Sequence, residues 1–133
     1  MNAGRVLREA GYDTEAFRVR IAPVDPDRVN ILPASKWFRR LWRPGIQGVT
    51  HGPFVFIAHE AMTGDRDRLA RLVIHELVHV RQYKAAGYLR FVFSYLREYW
   101  MGRIGGKSPR QAYLDISLER EAREVTELTV ALM

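Results

Sequence analysis

The chain has 133 residues, 47% of them apolar, and no cysteine. That length and composition suit one globular domain over residues 1–133. They exclude disulfides and thiolate metal sites, leaving any metal to histidine and carboxylate ligands. The net charge is +6, and 18 of the 21 basic residues are arginine. This favours anionic partners such as phospholipid head groups, nucleic acid or acidic polypeptides, although scattered arginines also suit a plain habit of composition. The N-terminal segment carries Arg5, Arg8 and Glu9 where a signal peptide needs an apolar run. No stretch approaches the roughly eighteen apolar residues of a membrane span. The expected compartment is the cytoplasm.

In chain order, Val6, Leu7 and Ala10 predict a helix over residues 2–10, with Gly11 as its stop. Residues 17–21 alternate apolar and basic, which predicts a half-buried strand. Pro23, Pro26 and Pro33 predict broken structure after it. Residues 37–43, from Trp37 to Arg43, mix aromatic rings with arginine. Membrane-interface and nucleic-acid surfaces have that composition, and so do packed aromatic segments. Residues 47–50, a His51-Gly52 turn and residues 53–58 predict a hairpin, with Pro53 opening an apolar second arm.

A helix is predicted from Asp65 or Asp67 to Ala86, with Gly87 ending it and Leu69, Leu72, Val73, Leu77 and Val80 giving it a core face. Residues 88–104 predict another helix, rich in Leu, Phe, Tyr and Trp and broken by Gly105-Gly106. Its apolar side chains are expected to pack on the preceding helix, with a membrane-surface role as the alternative. Ser108-Pro109 opens a last helical stretch that runs to about Leu132 and bends near residues 115–117. The sum is an α+β fold, with a small antiparallel sheet followed by helices.

His75-Glu76-Leu77-Val78-His79 is H-E-x-x-H. Residues four apart on a helix stack, so two imidazoles can converge on one ion. Glu76, one residue round from His75, then reaches a metal-activated water as general base. With four histidines and nine glutamates in 133 residues, chance supplies about 0.008 such matches. Two hydrogen-bonded core histidines are the bland alternative. Since no histidine follows His79, a third ligand comes from Glu98, Asp115, Glu119, Glu121, Glu124 or Glu127.

The run HELVHVRQY at 75–83, an aromatic helix, and SLEREA at 117–122 resemble the gluzincin-type zinc metallopeptidases, particularly their very small members. The resemblance implies a minimal zincin-like fold, one zinc per chain and a peptide or protein substrate. Endopeptidase rather than exopeptidase action is expected, in an active form or a latent one whose own chain fills the cleft, and residues 126–133 are the first segment to truncate to tell these apart. A downstream E-x-x-A-D signature supplies the third ligand in that clan. Glu119 fits its E-x-x-A part, with Glu121 as runner-up, but Arg123 stands where the aspartate belongs. The resemblance further implies that Phe54, Val55, Phe56 and Ile57 form an edge strand, packed beside the metal helix, that pairs with substrate. An ordinary buried strand is the alternative. Tyr83, Tyr113, His51 and His59 are open candidates for an oxyanion donor. The competing functions are a non-catalytic binding protein on the same fold and a basic module for membrane surfaces or nucleic acid.

Overall fold

A computed structural model describes residues 1–42 and 45–132. Arg43, at the end of the aromatic-arginine stretch, and Met133, at the end of segment 126–133, lie outside the described residues.

Helix α1 (Ala3–Glu9) begins where the Asn2 side chain accepts from the Arg5 N–H, and it buries Val6 and Leu7. Residues 14–21 form helix α2 (Thr14–Ile21), in place of the strand expected at 17–21. The Asp13 carboxylate caps it by accepting from the N–H groups of Glu15 and Ala16. Thr14, Phe17 and Ile21 share the buried face, while Val19 is 79% exposed. Five alternating residues are too few to separate the two periods, and the cap selects the helix.

A 3₁₀ turn at Pro26–Arg28 leads into strand β1 (Ile31–Ala34), where only broken structure was expected. Pro33 is tolerated because β1 lies at the sheet edge, where a missing N–H need not break a ladder. After helix α3 (Lys36–Arg39), strands β2 (Gly48–His51) and β3 (Phe54–Ala58) make the expected antiparallel hairpin. His51 pairs with Phe54, so the turn is Gly52-Pro53 rather than His51-Gly52, and Gly52 takes φ +59° at its first position. Strand β1 joins β3 in parallel, which makes the sheet mixed, in the order β1-β3-β2. Phe54, Val55, Phe56 and Ile57 therefore lie in the central strand and not at an edge, because β1 and β2 occupy both of its sides.

Helix α4 (His59–Met62) precedes the long helix α5 (Arg66–Ala86), which is capped by Asp65 and ended by Gly87 at φ +85°. Helices α6 (Tyr88–Ile104), α7 (Pro109–Leu114) and α8 (Ser117–Leu132) follow. The bend expected near residues 115–117 is a full break between α7 and α8. Helix α5 packs against α1, α2, β2, β3, α6 and α8. Its Val73, Ile74, Leu77, Val78 and Val80 join Leu7, Phe17, Ile21, Val55 and Ile57 in the core. Helix α6 packs on α5 as expected, but Phe91 is its one buried residue, so most of its apolar side chains are not core. Among the described residues no helix is long and apolar enough to cross a membrane.

The helix at residues 14–21 predicts unequal losses on substitution. Phe17→Ala should cost about 3–5 kcal/mol in urea unfolding, and Val19→Ser no more than about 0.5 kcal/mol. Comparable large losses at both positions would restore the strand, which sets them on one face.

Candidate metal centre

Helix α5 turns its apolar face to the core and presents His75, Glu76 and His79 on another side. The imidazoles of His75 and His79 lie with ring centroids 4.9 Å apart, as i,i+4 neighbours do. Helix α8 packs along α5 and buries Ala122, Thr126 and Thr129, which brings Glu119 in its first turn onto the histidines. Glu119 Oε2 lies 3.0 Å from His75 Nε2, and Glu119 Oε1 lies 2.9 Å from His79 Nε2. Ligand atoms of these three residues all lie within 4.8 Å of one another. Tetrahedral ligands with bonds of about 2.0–2.2 Å sit about 3.3 Å apart. The two imidazole–carboxylate spacings are thus within a few tenths of an ångström of that value, and the nitrogen and oxygen donors suit a divalent ion such as zinc.

The buried groups explain one another electrostatically. Burial alone would raise the Glu119 carboxyl, but hydrogen bonds and charge from His75 and His79 outweigh it and hold the group well below the usual carboxylate range. Burial pulls His79 down, yet Glu119, the charge of Glu76 and the Gln82 amide together push it up to about 9. His79 donates from Nδ1 to Gln82 Oε1 at 2.7 Å, while Gln82 Nε2 donates to Leu118 O and Glu121 Oε1. Both ring nitrogens of His79 therefore face acceptors. With its proton held at Nδ1 by Gln82, the ring offers Nε2 as the ligand atom.

Glu76 is buried, and its Oε2 accepts from Thr50 Oγ1 at 2.6 Å. Gly48 sits on the same face of β2 as Thr50, and a Cβ there would lie 3.0 Å from Glu76 Oε1. The glycine is the space into which the carboxylate projects. Two phenols complete the site: Tyr95 donates to Glu119 Oε1 at 3.2 Å and Tyr113 to Oε2 at 3.1 Å. Burial and then the Glu119 charge push both phenols up, so they remain donors at neutral pH.

Of the oxyanion candidates, Tyr113 alone bonds a ligand carboxylate. Tyr83 donates to Thr50 O, His51 packs near Phe38 and Phe56 at the rim, and His59 is exposed at the start of α4. Among the acids, Glu98 accepts from Ser117 N and Oγ, Asp115 pairs with Lys107, and Glu127 pairs with Arg71. Glu124 is exposed, and Glu121 bonds Gln82 on the side away from the ligand atoms. Arg123 donates to Leu114 O and ties α7 to α8. Among the described residues no carboxylate bonds the second ring nitrogen of His75. The sequence reading missed Gln82, Thr50, Gly48 and Tyr95. Only Gln82 had a local signal, three residues beyond His79 on one helix.

Two clefts meet at Gly48, Glu76 and Tyr113. One, of about 230 Å³, contains His79 and Glu119 and is walled by Tyr83, Phe91, Val92 and Leu96. The other, of about 810 Å³, is more polar, with His75, Arg68, Arg71, Glu60 and Asp65 around it. Comparison with protein-family models, with curated proteins and with solved structures returned no match.

The carboxylate geometry separates two neighbouring glutamates. Glu119→Gln should remove most bound zinc, and Glu121→Gln should leave it nearly intact, as read by metal analysis of the dialysed proteins. His79→Ala should lose the metal as Glu119→Gln does. Full occupancy in either of these two variants would rule out the three-ligand site.

Proposed function

We propose that this chain is a zinc-dependent peptidase that hydrolyses peptide bonds within polypeptide substrates. The reading rests on one observation: the two imidazoles of an H-E-x-x-H helix and the Glu119 carboxylate converge, with Glu76 beside them facing two open clefts. The motif, its spacing and the downstream E-x-x-A glutamate support assignment to the gluzincin type. Arg123 remains a departure from that pattern.

A zinc ion bound by His75, His79 and Glu119 supplies a Lewis acid that makes water acidic enough to deprotonate near neutral pH. Glu76 is the proton acceptor. Thr50 holds its Oε2, and the room left by Gly48 keeps Oε1 accessible from both clefts. The hydroxyls of Tyr113 and Tyr95, which donate to Glu119, are the candidates to turn to negative charge as it develops on a scissile carbonyl.

The strand available to substrate is β2, not β3. Ala58 N–H donates to Gln47 O, so residues 47, 49 and 51 turn their main chain toward β3 while Gly48 and Thr50 turn theirs outward. Tyr83 already occupies Thr50 O, which leaves Gly48 as the main-chain anchor for an extended peptide. Such a peptide runs past Glu76 with one side in the aromatic cleft and the other in the polar one.

Two outcomes test the chemistry. In Glu76→Gln, zinc should stay bound while hydrolysis of a mixed peptide library, followed by mass spectrometry, falls by about 10²–10⁴. Equal hydrolysis by the two proteins would reject Glu76 as base, and no hydrolysis by the zinc-loaded native chain would reject the peptidase reading. In Tyr113→Phe, kcat should fall by up to about 10²–10³ with KM and zinc content nearly kept. An unchanged kcat would remove Tyr113 from the reaction.

A further inference from the structure

Helix α6 exposes a continuous apolar stripe, of which only Leu96 reaches the cleft at the metal centre. Leu89, Phe93, Leu96, Trp100 and Ile104 recur every three or four residues, so they fall on one side of the helix. They are 81%, 70%, 49%, 58% and 81% exposed. The stripe runs for roughly 22 Å at the rise of an α-helix. Apolar rows of this length are rarely left to water on a monomer.

The charge beside the stripe selects what covers it. Residues 88–110 hold five basic side chains and one acid, Glu98. Glu98 is engaged by Ser117. Arg90 and Arg97 are exposed and make no ion pair among the described residues. Pairing the stripe with a second copy would set these arginines against their own kind, with no free acid on the helix to answer them. A surface with an apolar interior and negative head groups satisfies both features at once.

We infer that α6 lies in the interface of an anionic membrane, with Leu89, Phe93, Leu96, Trp100 and Ile104 among the acyl chains and Arg90 and Arg97 at the head groups. Leu96 also walls the smaller cleft. Docking therefore holds the mouth of the metal centre at the lipid surface and, on the peptidase reading, selects polypeptide segments that lie there. Lipid binding itself can be measured without any hydrolysis, so the two readings fail separately.

The test uses the full chain with vesicles of phosphatidylcholine, with and without phosphatidylglycerol. The chain should sediment with the anionic vesicles, and added salt should release it. Phe93→Ser and Trp100→Ser should each weaken binding at least about tenfold, and Arg90→Gln with Arg97→Gln about thirtyfold together. Circular dichroism and zinc content should be unchanged, and Val19→Ser, on α2, should bind as the native chain does. A second measurement avoids disruptive changes: with Trp37 and Trp42 replaced by Phe, brominated lipid should quench the fluorescence of Trp100. Failure to bind anionic vesicles, or binding insensitive to the α6 changes, would overturn the proposal. So would unquenched Trp100, or a dimer that Phe93→Ser dissociates, which would assign the stripe to a second copy.

Discussion

A carboxylate buried between two helices governs much of this molecule. Glu119 is almost wholly withdrawn from solvent, and an ionised carboxylate in that position is costly unless its oxygens are satisfied. Four side chains satisfy it: His75 and His79 from α5, Tyr95 from α6 and Tyr113 from α7. The group therefore holds together the four helices of the C-terminal half. Positioning of the ligands and assembly of the helices are one physical event, because displacing any of these helices leaves a buried charge short of a partner.

The same economy shapes the two sides of α5. Toward α1, α2 and the sheet it presents aliphatic residues that complete a dry core, which fixes its rotation about its own axis. That rotation aims Glu76 at β2. Only a strand that alternates Gly48 and Thr50 on its inner face can approach so closely, with one residue leaving space and the other giving a hydroxyl to the carboxylate. A helix and a strand edge thus combine to hold a buried acid in a single orientation beside the histidines.

Helix α6 answers a different demand. It is joined to α5 by a short aromatic column in which Phe91 stacks on Tyr83 at 3.7 Å and meets the edge of His79 at 5.9 Å. Those rings close one wall of the candidate metal centre. The helix also packs on α7 and α8, while the side that bears Leu89, Phe93, Trp100 and Ile104 faces outward.

The sequence by itself determined the features whose causes are local. The H-E-x-x-H geometry needs only one turn of helix. The limits of α5 follow from Asp65 and Gly87, and the start of α7 from Ser108 and Pro109. The β2–β3 hairpin follows from an apolar second arm set off by glycine and proline. The resemblance to a known spacing pointed to Glu119, and the structure brings that residue to both histidines. What tertiary structure decided was every question of long-range partnership. It decided which of six acids meets His75, 44 residues away, together with His79, and that the acid answering His79 on its other nitrogen is reached through Gln82. It decided which face of the helix at residues 14–21 is buried, since Phe17 and Ile21 share a core that Val19 does not enter. It placed β3 at the centre of the sheet, because β1 arrived from upstream to cover the side expected to be free. It left α6 apolar and exposed, a fact that depends on what packs nearby and not on the helix itself. Hydrogen bonds within four residues and caps at helix ends are written in adjacent letters; burial and strand order depend on how distant segments compete for the same surface.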